Sequence, residues 1–185
     1  MNLNASALSG FQQEYRTADP EGTFSSESFQ GRILVLDFFA HWCAPCLRAS
    51  PLIEKEIAEY YLEQNGNMHG IPVDVVAVNV EASSPKRTDL FIRRTGLKNV
   101  IDDFEGTLLS EFKAESIPLL VVLDGTHSDA GLKVVYQKTG FEGVPQLRAV
   151  IDSITGPSET VRDIPVRSAG QSESGIKTSA ISVER

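Results

Sequence analysis

Residues Arg32 to Ala40, RILVLDFFA, form an almost unbroken run of β-branched, aromatic and other apolar side chains, interrupted by Asp37. Such a run needs an apolar layer on each face, which predicts a central strand covered on both sides. The pattern then changes to a helical one. From Pro45 onward, Leu47, Leu52, Ile53, Ile57, Tyr60 and Tyr61 recur at helical intervals among Glu54, Lys55, Glu56 and Glu59, and the helix is expected to stop near Asn65-Gly66. Pro51 removes a backbone donor about two turns in, so a bend or break is expected there.

The rest of the chain repeats this alternation. VDVVAVNV (Val73 to Val80) predicts a second buried strand. Leu90, Phe91 and Ile92 among Lys86, Arg87, Arg93 and Arg94 predict an amphipathic helix ending at Gly96, followed by a short strand at Val100-Ile101 and a brief helix over Leu108 to Lys113. LLVVL (Leu119 to Leu123) is a third strong strand. KVVYQK (Lys133 to Lys138) alternates like a half-exposed edge strand, and Val144 to Ile154 closes as a helix. This order implies an α/β sandwich. The boundaries read as an N-terminal extension over 1–23, a folded domain over 24–155, and a Ser/Gly-rich tail or linker over 156–185.

With 185 residues and 20.2 kDa, one domain can bury a working core without covalent staples, so the two cysteines are not needed as scaffolding. A net charge of -8 offers no basic face for nucleic acid. No stretch reaches the roughly 18 apolar residues of a membrane span. MNLNASALSGFQQEYR has neither a basic start nor an apolar run, so it does not read as a secretory signal.

Both cysteines fall in one segment, FFAHWCAPCLRASP (38–51), at the start of the first helix. Free amides and the positive end of the helix dipole favour a thiolate over a thiol, which makes Cys43 the attacking group. Cys46, one turn further in, is placed to attack a mixed disulfide on Cys43 and release its partner. Pro45 in the first turn fixes the backbone without losing a needed hydrogen bond. Zinc would need four ligands, and His41, His69 and His127 are scattered without paired spacing. A static disulfide across so short a loop would stabilise little. Disulfide exchange is the chemistry this spacing serves.

LDFFAHWCAPCLRASP resembles the active-site segment of thioredoxin, matching it at Asp37, Ala40, Trp42, Cys43, Pro45, Cys46 and Pro51. Ser116-Ile117-Pro118-Leu119 occupies the place of the family's cis-proline before the next strand. Within that superfamily the chain resembles the TlpA-type thiol:disulfide reductases. Gly22, Phe24, Ser25, Phe29, Gly31 and Arg32 precede the first strong strand as in that subgroup, and a helix-strand segment over about Pro85 to Asp102 lies ahead of the cis-proline. The implied fold is a thioredoxin fold: a central mixed β-sheet flanked by helices, with that extra segment inserted.

The resemblance implies that Asp37 is a buried acid with a raised pKa that handles the proton of Cys46. It implies that Ile117 and Pro118 face Cys43, with the Ile117 backbone pairing with an extended substrate, and that Trp42 presents an apolar contact surface. The lysine that thioredoxin carries on its second central strand is absent from VVAVNVE. His41 beside Trp42 is read as an exposed polar residue, or else as a cation favouring the Cys43 thiolate. The expected activity is thiol:disulfide exchange, in the reducing direction, on protein disulfides. No cofactor is expected, because the dithiol carries the two electrons. The expected partners are protein substrates and a redox recycling partner, without nucleic acid or membrane contact, for a monomer. A periplasmic or other extracytoplasmic place follows from the subgroup, with the cytoplasm left open. The alternatives are a peroxiredoxin-like thiol peroxidase and a copper-binding module using His41 and the two thiols.

Overall fold

The structure is a computed structural model and describes Leu8 and residues 11–17, 22–127 and 131–156. Of the tail expected over 156–185, all but Gly156 lies outside the described residues.

Its strands are β1 (Gln12–Glu14), β2 (Thr23–Ser25), β3 (Ile33–Phe39), β4 (Val73–Asn79), β5 (Val100–Asp102), β6 (Leu119–Asp124) and β7 (Lys133–Thr139). The α-helices are α1 (Ala44–Ile53), α2 (Tyr60–Glu63), α3 (Pro85–Thr95), α4 (Thr107–Glu111) and α5 (Val144–Asp152). Five strands form one mixed sheet in the order β5-β4-β3-β6-β7. β3 runs parallel to β4 and antiparallel to β6, so the continuous apolar run lies at the centre of the sheet. Every residue of β3 is buried. β7 is an edge strand that alternates between half-buried and exposed residues, as its sequence predicts.

The alternation of side chains along β3 divides the interior. Leu34, Leu36 and Phe38 join Phe24, Phe29, Leu108 and Phe112 on one face. Ile33 and Val35 point the other way, into a layer built from Ala49, Ile53, Ile57 and Tyr61 with Leu147 and Ile151 of α5. Burying each of these large side chains is worth about 1.5–3 kcal/mol, which explains why the helices lie where their apolar stripes meet the sheet.

Pro51 does not break the helix. α1 runs through it to Ile53, and π-helical turns over Glu54–Glu59 then lead into α2. One lost donor is outweighed by the packing of Cys46, Ala49, Ser50 and Ile53 on the sheet, and the irregularity appears just downstream.

Residues ahead of Phe24 also enter the core. Leu8 is fully buried in the same cluster as Phe24, and β1 pairs with β2. Arg16 bridges Asp102 on β5 and Asp89 on α3 at 2.6 and 2.9 Å.

Candidate active site

Cys43 caps α1. Its backbone is extended, and its Sγ accepts a 3.1 Å hydrogen bond from the Cys46 amide, with Pro45 in the first turn. The two cysteines form a disulfide with Cα atoms 5.2 Å apart. Cys43 keeps 3% of its surface and Cys46 none, so the outer sulfur belongs to Cys43. Beneath the pair lie Phe39, Ala77, Phe91, Leu97 and Val100, with the Phe39 and Phe91 rings stacked at 4.8 Å. This apolar floor holds the disulfide at the end of the helix rather than inside the sheet.

Asp37 lies on β3, in register with Ala77 of β4 and Leu120 of β6, and is fully buried. Cys46 Sγ is 4.0 Å from the carbonyl oxygen of the next residue, Phe38, so strand and disulfide meet here. Alternation turns Asp37 to the α1 side, where Ser50 faces it. Neither Asp37 oxygen nor Ser50 Oγ completes a hydrogen bond. Burial pushes the Asp37 carboxyl up to about 6; the Ser50 hydroxyl offsets this in part, and the charge of Glu54 adds to it. Burial raises Glu54 as well, against the neighbouring Lys98. Where thioredoxin has a lysine near its buried acid, the charged neighbour of Asp37 is therefore a second acid. Cys46, Ser50 and Glu54 follow one another at intervals of four along one face of the helix.

Trp42 is 62% exposed. Its Nε1 donates a 2.7 Å hydrogen bond to Glu81 Oε2, from the loop after β4. Hydrogen bonds from Ser83 and Trp42, with the charge of His41 nearby, bring the Glu81 carboxyl down to about 2. His41 is half-buried with its Nδ1 shielded and unpartnered. The Ile117–Pro118 peptide bond is cis, Pro118 is buried, and half-buried Ile117 packs against the cluster that holds both cysteines.

The fold thus gathers Cys43, Cys46, Asp37, Trp42, Ile117 and Pro118 around one end of α1. Sequence reading missed Glu81, Ser50 and Glu54. The last two carry a usable signal in their spacing from Cys46. Glu81 carries none, because it stands 39 residues beyond Trp42.

A Thioredoxin-like family model matches residues 31–128, more than half of the chain. The chain belongs to the thioredoxin-like family. Thioredoxin of Borreliella burgdorferi is 30% identical to this thioredoxin-like chain in an alignment 95 residues long that covers 43% of this chain and 80% of that protein. Other curated relatives are spanned less fully. The matched stretch covers 43% of Thioredoxin-1 of Saccharomyces cerevisiae, at 38% identity over 47 residues. It covers 5% of the peptide-N(4)-(N-acetyl-beta-glucosaminyl)asparagine amidase of Caenorhabditis elegans, at 52% identity over 29 residues.

The thioredoxin-like fold also matches solved structures. A secreted disulfide oxidoreductase of Mycobacterium tuberculosis, homologous to E. coli DsbE, superposes with a TM-score of 0.58 at 18% identity, covering 80% of this chain and 98% of that one. StoA of Bacillus subtilis gives 0.57 at 19% identity, over 76% and 94%. Family and disulfide together make this a thioredoxin-like redox protein.

Proposed function

We propose that this protein is a thiol:disulfide oxidoreductase that reduces protein disulfides through Cys43 and Cys46. The observation that carries the reading is the Cys43–Cys46 disulfide at the open end of α1, Cys43 the more exposed of the two, with a buried carboxyl on the strand residue next to the one that Cys46 Sγ approaches. In the reduced protein, the Cys43 thiolate attacks a substrate disulfide, forming a mixed disulfide and releasing one substrate thiolate. Cys46 then gives its proton to the Asp37 carboxylate. Its thiolate attacks Cys43 Sγ, closing the protein disulfide and releasing the second substrate thiolate. A carboxyl with a pKa of about 6 accepts that proton near neutral pH and passes it on to solvent. Ile117 and Pro118 position the substrate segment, and Trp42 gives it an apolar contact.

The working unit is taken as 24–155, with Leu8 and residues 11–17 packed against it and 156–185 as a tail or linker. It acts as a monomer, and a separate dithiol donor recycles the disulfide. An extracytoplasmic setting is supported by the secreted structural neighbour named above. Among the described residues no helix is long and apolar enough to cross a membrane. The copper-binding alternative has less support, since the Cys-x-x-Cys pair has His41 beside it in the sequence and no second histidine nearby.

The test is the reduction potential of the pair in glutathione buffers, with Cys46→Ser to trap the mixed disulfide. A value near the thioredoxin range of about -270 mV is expected. A value well above the glutathione couple would make the protein a disulfide donor and overturn the direction. No reversible change would remove the oxidoreductase reading altogether.

A further inference from the structure

Arg87, Leu90, Phe91 and Arg94 stand at i, i+3, i+4 and i+7 on α3 and share one face of the helix. With His41 and Leu47 they line an open groove that begins at the active-site loop. Phe91 belongs to the apolar cluster of Cys43 and Cys46, so the floor of the groove is continuous with the packing under the disulfide. Leu90 is 53% exposed on its wall.

The charge of this groove runs against that of the chain, which carries 25 acidic residues against 17 lysines and arginines. Arg16, Arg32 and Arg148 each pair with carboxylates, whereas Arg48 and Arg93 lie exposed outside the groove. Arg87 and Arg94 are exposed and, among the described residues, pair with none. Two free guanidiniums bracketing apolar side chains, in a groove that includes His41 and Leu47 from either side of the reactive pair, form a surface for an anionic and apolar ligand.

Resting on the oxidoreductase reading above, we propose that this groove docks the substrate protein's chain beside its disulfide, and that the docked segment carries carboxylates flanking apolar residues. The two arginines stand seven residue steps apart on the helix, a rise of about 10 Å at 1.5 Å per step. A docked chain in the polyproline II conformation covers about 9 Å in three residues and returns to the same face at every third residue. The best segment therefore has acidic side chains three residues apart with apolar residues between them, a carboxylate meeting each guanidinium and the apolar residues lying on Leu90 and Leu47. Docking there leaves Cys43 within reach of the flanking substrate disulfide.

The experiment uses pre-reduced protein and peptides of one length, each carrying a disulfide next to Glu-x-x-Glu or Lys-x-x-Lys. Rates are compared for the parent chain and for R87E/R94E, at low and high ionic strength, with neutral 2-hydroxyethyl disulfide as a substrate too small to fill the groove. Exposed ion pairs each contribute a factor of about two to five, so the parent is expected to favour the Glu peptide by about five- to twentyfold at low salt. High salt should erase the preference, R87E/R94E should reverse it, and both proteins should reduce 2-hydroxyethyl disulfide at one rate. Equal rates for the two peptides, or an unchanged preference in R87E/R94E, would overturn the docking site while leaving the chemistry intact. Failure of the parent to reduce even 2-hydroxyethyl disulfide would overturn the oxidoreductase reading and the groove with it.

Discussion

The Trp42 indole donates a 2.7 Å hydrogen bond to Glu81, so the exposed aromatic beside Cys43 is oriented by the loop after β4 rather than by its own. The Asn79 side chain donates to the Glu81 carbonyl at 3.0 Å and accepts from the Glu81 amide at 3.2 Å, which anchors that loop to the sheet. Glu81→Ala is expected to free the indole, lowering the fluorescence anisotropy of the single tryptophan and raising KM for protein disulfides with little change in kcat. In the parent protein, the Glu81 carboxyl pulled down to about 2 should keep Trp42 anchored until the pH falls well below the ordinary carboxylate range. An indole equally mobile in both proteins would sink the assignment.

Asp37 is expected to cost stability at neutral pH. Its folded-state carboxyl is raised from 3.8 to about 6, so the folded chain holds an extra proton within that window. Stability therefore falls as pH rises through the window, and above it the buried carboxylate costs on the order of 3 kcal/mol. Asp37→Asn should be more stable by about 2–3 kcal/mol in neutral buffer, with the gain fading below about pH 4, and should resolve the mixed disulfide more slowly. Denaturant melts across the pH range check this. A gain that does not vary with pH would assign it to packing.

Glu54 and Ser50 act on Asp37 with opposite signs. Glu54→Gln removes a neighbouring negative charge and should lower the Asp37 pKa, whereas Ser50→Ala removes the polar hydroxyl that faces the carboxylate and should raise it. Carbon-13 NMR titration of the Asp37 carboxyl reads both shifts. Shifts of one sign would show that one of the two does not face the acid as described.

Arg16 couples the N-terminal segment to β5 and α3 by three side-chain hydrogen bonds to Asp89 and Asp102 and one to the Pro85 carbonyl. Its side chain is 16% exposed and that of Asp102 14%, so removing it leaves a largely shielded carboxylate. Arg16→Ala should cost on the order of 1–3 kcal/mol and speed amide exchange in β5. Unchanged exchange there would mean that Arg16 does not hold the strand.

Periodicity made β3, β4, β6 and α1 legible in the chain, because a strand buried on both faces and a helix with one apolar stripe leave different patterns. The Cys-x-x-Cys pair at the start of α1 was legible for the same local reason. Pro51 was legible as a disturbance, a bend or a break, and the helix runs on through it, since a local rule cannot weigh one lost donor against the packing of a whole helix face. The part of Leu8 in the core was not legible at all, because a lone leucine in a polar stretch carries no period.

What local patterns settled is the order of elements, the centre of the sheet and the position of both thiols at a helix start. What needed the folded chain are relations that neither pattern nor resemblance carried: Glu81 under Trp42, Ser50 and Glu54 against Asp37, and Arg87 and Arg94 facing a groove at the active site. The reason is physical. Period and helix capping act between residues a few positions apart, whereas burial, charge and hydrogen bonding at the site depend on which elements pack together, and only the whole core decides that.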